Sequence, residues 1–340
     1  MAIKWAWAFS TDQTKADLEA IGWEVNGTSN PGYSVITHDY PGDAVTKRAS
    51  LLQEYGQLFA TPNGTAALDG WVCCSAYALN GHTFQNFPWL HVGQVGLTGI
   101  YIIPAIGATV TTVSLYVDNV FKATSTLTVV SDAWNFFAIK YEGSTTTFKA
   151  TVYANGVEYI AQQTDTAVTA WSDLTLMRVK GWGNGLFSVS QTIYGGIIAY
   201  DDILDAGEVE VWCSPYEPQT DDAETGTWAP STGATNFGVV TPWDDTTYTE
   251  EASPTTGDKF TCGFTDSIAT RLGISPPIHA VVSHAAVSGG NDFQALLDVG
   301  AGDVVGATVT SDVNDPTYGY STETAGLTAA SVVKVGIKIP

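Results

Sequence analysis

The sequence predicts an all-β protein: two tandem β-sandwiches, with one short helix near the N-terminus. Three observations carry that prediction. Short strand-like runs recur at a spacing of ~8–12 residues with turn signals between them. Tight polar turns join neighbouring runs, the clearest being Asn155-Gly156, a pair in which both residues tolerate positive φ. Charged residues make up only 14% of the chain, against the ~25% usual in soluble proteins, and Gly, Ser, Thr and Asn take their place. With 340 residues, the chain has room for about two domains, each with its own core. The expected boundaries are 1–213 for the first sandwich with its N-terminal extension, 214–227 for a linker, and 228–340 for the second sandwich.

Taken in order, residues 1–10 (MAIKWAWAFS) alternate aromatic and small side chains as an edge strand does. Residues 14–21 (TKADLEAI) form the helix, capped by Asp12 or Thr14 and ended by Gly22. From 26 to 43 the Gly, Pro, Asn and Ser content indicates loop, apart from a strand-like 33–38. Residues 49–59 read as strand or helix. Strands are expected at 69–79 (DGWVCCSAYAL), 91–96, 99–103 and 109–117, with the aromatic, turn-rich 80–90 between the first two. Residues 134–141, 147–153 and 157–161 make a meander. In its second strand Phe148, Ala150 and Val152 point to a dry face, and Thr147, Lys149, Thr151 and Tyr153 to a wet one. Residues 174–179 add a strand. Gly181-Trp182-Gly183-Asn184-Gly185 then makes an exposed loop with an aromatic at its tip.

Several of these pieces carry a resemblance. A Trp entering a strand at 134, the Tyr153-Ala154-Asn155-Gly156 turn, and Gly196-Ile197-Ile198-Ala199-Tyr200-Asp201-Asp202-Ile203-Leu204-Asp205-Ala206-Gly207-Glu208-Val209 resemble the concanavalin A-like (laminin G-like) jelly roll. Residues 113–121 (VSLYVDNVF) resemble a hairpin of that family, with Asp118-Asn119 at the turn. The resemblance covers roughly residues 65–213 and implies a jelly-roll first domain. It says little about activity, because one fold of this kind hosts lectins, glucanases and structural modules.

Residues 214–227 (SPYEPQTDDAETGT) combine two prolines and a run of acids with no apolar periodicity, the marks of a linker or crossing strap. Beyond them, strands are expected at 248–252, 259–265, 278–286, 292–299 and 331–339. Here Thr227-Trp228-Ala229-Pro230, residues 244–248, 257–264, 278–286 and 334–340 resemble a β-sandwich domain of tailed-bacteriophage virion proteins.

Charge and cysteine use narrow the function classes. Thirteen basic residues against 35 acidic ones give a net charge of −22. Such a surface repels nucleic acid and anionic membrane. No charged n-region precedes an apolar stretch at the N-terminus, and the longest apolar run, 99–110, is interrupted by Pro104 and far short of the ~20 residues that span a bilayer. Cys73 and Cys74 are adjacent in a strand and face opposite ways, and Cys213 and Cys262 fall in different domains. With no C-x-x-C pair, the cysteines read as small buried hydrophobes.

Catalytic patterns are weak. Glycan cleavage needs two carboxylates about 5–10 Å apart, and Glu208-Val209-Glu210 offers two acids on one strand face but no third. Ser283-His284 lies in an apolar strand without a flanking acid, no G-x-S-x-G occurs, and His279 and His284 are spaced so that they cannot grip one metal. The sequence therefore predicts no enzyme and no cofactor. Calcium is the one metal with candidate ligands, the hard oxygens of Asp118 and Asn119, with Asp201, Asp202, Asp244 and Asp245 behind them; paired acids in turns also serve simply as turn formers. For glycan binding the candidates are Trp182 with Asn184, then Trp89 with His82 and Asn86, although most of the 11 Trp are expected in core or interface.

These readings converge on a structural protein of a phage virion, a capsid decoration or minor capsid protein on the particle exterior. It would bind the major capsid protein or other virion proteins by shape complementarity and associate with its own copies. The alternative is a lectin-like adhesin on a tail or head fibre that touches host glycans.

Overall fold

The computed structural model describes residues 3–8, 24–26, 34–35, 50–53, 57–60, 69–78, 90–93, 99–106, 111–118, 120–127, 133–143, 147–165, 176–180, 191–200, 219–232, 248–264, 281–300, 302–313, 317–323, 327, 331 and 333–340. The chain divides into two compact units. Met1–Thr11, Gly22–Pro41 and Lys47–Pro215 make the first; Asp12–Ile21, Gly42–Thr46 and Tyr216–Pro340 make the second. Every regular element among the described residues is a strand, so the protein is all-β. The helix expected at 14–21 lies outside the described residues.

The first unit contains β1 (Ile3–Ala8), β2 (Glu24–Asn26), β3 (Ser34–Val35), β4 (Ser50–Gln53), β5 (Gln57–Ala60), β6 (Asp69–Ala78), β7 (Leu90–Gly93), β8 (Gly99–Ile106), β9 (Thr111–Val117), β10 (Val120–Leu127), β11 (Ala133–Gly143), β12 (Phe148–Ala154), β13 (Val157–Asp165), β14 (Leu176–Lys180) and β15 (Gln191–Tyr200). They form an eight-stranded sheet, β13-β12-β11-β6-β15-β4-β3 with β1 also on β15, and a seven-stranded sheet, β10-β9-β8-β7-β14-β5-β2. Strands distant in sequence are neighbours in both sheets, as in a jelly roll: β6 lies between β11 and β15, and β14 between β7 and β5. The ambiguous 49–59 resolves into β4 and most of β5.

The core follows from period-two alternation. Phe137, Ile139 and Tyr141 of β11 share a face with Val72 and Cys74 of β6, Ala150, Val152 and Ala154 of β12, and Ile197 of β15. All are buried. Each large side chain among them contributes roughly 1.5–3 kcal/mol by leaving water. In the other sheet Val113, Leu115 and Val117 are buried and alternate with half-exposed Thr112, Ser114 and Tyr116. Pro104 falls inside β8, one of the inner strands of its sheet, where a missing N–H would cost a ladder bond. It sits beyond the last described β7 partner, Leu90↔Ile102, and among the described residues pairs only with Val113 of β9.

Both expected hairpin turns form. Asp118 has φ 46° between β9 and β10. Asn155 and Gly156 have φ 49° and 73° between β12 and β13, the positive values that a two-residue I′ turn requires. Asn155 is then fastened to β11. The Phe136 N–H donates to its Oδ1 (2.8 Å), and its own N–H donates to the Phe136 carbonyl (2.8 Å). Its Nδ2 donates to Oδ1 of Asn135 (3.0 Å), which is itself only 1% exposed.

One expectation is corrected here. The outer face of the meander, expected wet, is mostly covered: Trp71, Cys73, Phe136 and Ala138 are buried, and so is Thr151. Its margin, at Lys140, Glu142, Thr147, Lys149 and Tyr153, is half-exposed. The alternation on β12 alone does not register the apolar residues that β6 and β11 add to the same face.

The second unit contains β16 (Thr220–Thr225), β17 (Trp228–Pro230), β18 (Thr249–Glu251), β19 (Lys259–Gly263), β20 (Val281–Val287), β21 (Asp292–Asp298), β22 (Asp303–Val305), β23 (Val309–Thr310), β24 (Thr317–Glu323) and β25 (Lys334–Lys338). Its main sheet runs β16-β19-β25-β21-β22, with β23 on β21, and β17-β18 and β20-β24 are two-stranded. β16 corrects the reading of 214–227 as linker throughout, because Thr220–Thr225 pairs with β19 as the edge strand of this sheet. Acidic side chains hid it: an exposed edge strand needs no apolar face. One face of the sheet holds the core, with Phe264, Leu297, Val299 and Val333 in one cluster and Trp228, Phe260 and Cys262 in another.

The opposite face holds buried Thr261 and Leu296 and two ion pairs. Lys334 Nζ lies 3.0 Å from Asp222 Oδ2, and Lys259 Nζ lies 3.1 Å from Asp303. Thr261 Oγ1 donates to Asp222 (3.1 Å). The Asp222 hydrogen bond, with the charges of Asp298 and Asp303 behind it, raises the Lys334 ammonium above the usual lysine range. Gly336 lies on this face beside Thr261. A Cβ there would stand 1.9 Å from the Phe260 carbonyl oxygen, so the backbones of β19 and β25 approach as closely as they do only because no side chain intervenes.

Candidate ligand-binding face

The described site residues lie on the outer face of β6, β11 and β12. Register places Lys140 between Trp71 of β6 and Thr151 of β12, Glu142 beside Lys149, and Tyr153 beside Glu158 of β13. The Trp71 and Tyr153 rings lie 5.2 Å apart between centroids, tilted by 45°. Lys140 Nζ stands 5.4 Å from the centre of the Trp71 ring, within cation–π range. Trp71 is 1% exposed, whereas Tyr153 and Lys140 beside it are half-exposed. The polar rim consists of Glu142, paired with Lys149 Nζ at 3.2 Å, and Glu158, which accepts from the Tyr153 hydroxyl at 3.5 Å.

This is a fixed aromatic ring with carboxylate and hydroxyl groups beside it. An aromatic body covers an apolar ligand face, and the rim groups set orientation. Sequence reasoning recorded Lys149, Thr151 and Tyr153 as one strand face but missed Trp71, which is brought alongside by strand pairing over some seventy residues of chain.

The sequence-predicted candidates fare differently. Trp182 and Asn184 lie outside the described residues, as do Trp89, His82, Asn86, Asp201, Asp202, Glu208, Glu210, Asp244, Asp245 and His279. Asn119 does too. Asp118 occupies the left-handed turn position, which gives it a turn-forming role. Among the described residues, no three His, Cys, Asp or Glu side chains come together as a metal site would require. Ser283 is buried in β20 and its hydroxyl has no hydrogen-bond partner among the described residues; successive strand residues face opposite ways, so His284 is not its base. Cys73, Cys74 and Cys262 are buried and in no disulfide, as expected of small hydrophobes. Burial, and then the neighbouring Cys73, push the Cys74 thiol far above the usual cysteine range, which makes it inert as a nucleophile.

No family model and no curated protein matches the chain. Solved structures similar to it include domain 4 of AbnA, an extracellular GH43 arabinanase from Geobacillus stearothermophilus, at 11% identity and TM-score 0.40, covering 61% of this chain and 96% of that one. The GH131 β-glucanase catalytic domain from Podospora anserina is similar at 13% identity and TM-score 0.41, covering 60% and 98%. A legume lectin-like domain from Entamoeba histolytica is similar at 10% identity and TM-score 0.35, covering 57% and 96%. Likeness at this level carries no argument about activity or ligand.

Proposed function

We propose that the protein acts by binding and not by turnover, and that its first unit holds a glycan on the outer face of β6, β11 and β12. The observation that carries this reading is the Tyr153 ring, backed by Trp71 and flanked by Lys140, Glu142 and Glu158. The apolar face of a pyranose stacks on an exposed aromatic ring, and its hydroxyls bond to carboxylate and hydroxyl neighbours. Screening the purified protein against arrayed neutral and acidic glycans, followed by calorimetry on each hit, tests the reading. Tyr153→Ala is expected to abolish binding with the fold intact. Absence of any hit, or hits indifferent to Tyr153→Ala, would overturn it.

A second reading concerns where the face is displayed. The resemblance of 227–230, 244–248, 257–264, 278–286 and 334–340 to a phage virion β-sandwich domain favours a particle-exterior protein docked to capsid or other virion components. The net charge of −22 suits a module that must avoid nucleic acid. Quantitative mass spectrometry of purified particles is expected to find the chain in stoichiometric amounts, and its absence from them would sink this reading.

A further inference from the structure

Turn geometry does not choose between asparagine and aspartate at position 155, since Asn-Gly and Asp-Gly both suit a I′ turn. The neighbours choose. Asn135 Oδ1 accepts from Asn155 Nδ2 at 3.0 Å. The Asn135 amide is not able to turn over and offer a donor there instead, because its own Nδ2 donates to the Ala133 carbonyl at 3.0 Å. Asn135 is buried, and an acceptor set against its Oδ1 would stand in a low-dielectric site, where a mismatched polar group costs most. The site therefore requires an amide at 155.

Asn155 is also the kind of asparagine that loses its amide. It precedes glycine, which has no side chain to keep another group from its main-chain nitrogen. The reaction needs no partner but water. The Gly156 nitrogen attacks Asn155 Cγ; the N–Cγ bond forms, the Cγ–Nδ2 bond breaks, and ammonia leaves with the Gly156 proton. Water then opens the cyclic imide, at Cγ to leave aspartate or at the main-chain carbonyl to leave isoaspartate, whose main chain is longer by a methylene.

We propose that Asn155-Gly156 is a covalent modification site gated by the fold: closed, the turn keeps its amide; opened, it deamidates, and the product does not refasten to β11. In the closed turn the amide is held at both ends, Oδ1 by the Phe136 N–H at 2.8 Å and Nδ2 by Asn135. Carrying Cγ onto the Gly156 nitrogen breaks both bonds, so the reaction waits for local opening. The change runs one way. Aspartate sets an oxygen where Asn135 needs a donor, and isoaspartate also puts the Ala154↔Val157 pair that closes the turn out of register.

Peptide mapping by mass spectrometry, on the full chain incubated at mildly alkaline pH with and without denaturant, tests this. The tryptic peptide 150–178 contains Asn155 as its only asparagine, so its mass shift reports this site. The folded chain is expected to deamidate here at least about tenfold more slowly than the unfolded one, since a gated reaction follows the open fraction. Asn135→Ala, which releases Nδ2, is expected to raise the folded rate toward the unfolded one. Asn155→Asp, the product made directly, is expected to lower the denaturant midpoint, and the deficit should shrink in acid, where a protonated carboxyl again donates to Asn135. Circular dichroism checks that both variants fold; the wild-type comparison decides the matter if Asn135→Ala does not. Equal rates in the folded and unfolded chain, no modification in either, a folded Asn135→Ala chain that reacts no faster, or a wild-type midpoint for Asn155→Asp would each overturn the proposal.

Discussion

The main sheets of the two units have the same problem, a second face beyond the core, and they meet it with different chemistry. In the first unit the outer face of β6 and β11 is covered by Trp71, Cys73, Phe136 and Ala138, all buried. Polarity survives only at the margin, where Lys140 lies over an indole and Glu142 pairs with Lys149. In the second unit the corresponding face carries two ion pairs, Lys334 on Asp222 and Lys259 on Asp303, beside buried Thr261 and Leu296. Aromatic cover leaves an amphipathic rim able to take a ligand. Lys334 and Lys259 of that face already hold carboxylates. Under the proposed function, recognition would fall to the first unit.

That contrast breaks most visibly at Gly336. Gly336→Ala drives a methyl group into the Phe260 carbonyl, a backbone atom with no rotamer to yield. The expected loss is about 4 kcal/mol or more, the range reached by substitutions that force packed backbone apart. Denaturant titration followed by tryptophan fluorescence measures it. A wild-type midpoint would mean that β19 and β25 separate freely, and the ion-paired face would lose its claim to a fixed shape.

In the first unit the comparable weak point is Asn155. Asn155→Ala removes two side-chain hydrogen bonds, roughly 0.5–1.5 kcal/mol each, and adds about 1–2 kcal/mol for a left-handed residue with no polar side chain. Asn155→Gly removes only the bonds, so it is expected to fall between alanine and wild type in the same titration. Equal losses would show that backbone strain plays no part in the turn.

This turn was legible in the sequence because everything it needs is local: Asn155-Gly156, and alternation on both sides. The Asp118-Asn119 hairpin was legible for the same reason, as were β18, β19, β20, β21 and β25 of the second unit, whereas its β17, β22, β23 and β24 were not. What could not be read depends on pairing between distant segments. Trp71 gains its neighbours only because β6 inserts beside β11. β16 looked like linker because its strand character rests on β19, about forty residues away. Gly336 looked like any strand glycine until β19 was laid beside it. The glycan candidates Trp182 and Asn184 came from a stretch read as loop on composition alone, whereas the shelf at Tyr153 is made by register.

The smallest expected effect tests the charged half of the comparison. The ion pairs of the second unit are partly exposed, and such pairs contribute about 0–1 kcal/mol, less in high salt. Asp222→Asn should therefore shift the midpoint only slightly, and the shift should shrink as salt rises. The pH dependence has a definite sign at each end. Lys334 is raised above its ordinary 10.5, so its contribution is complete below that pH and is lost as pH climbs through the folded value. Glu251 is lowered below its ordinary 4.5, first by the Ser253 N–H and then by Thr227. Its contribution is complete above that pH and disappears as pH falls through the folded value. Melting curves between these limits should be flat for the second unit, with Glu251→Gln flattening the acid end and leaving the alkaline end unchanged. A melting temperature that varies steeply near neutral pH would place a titrating group where no described side chain accounts for it, and the assignment of the pH dependence to Lys334 and Glu251 would fall with it.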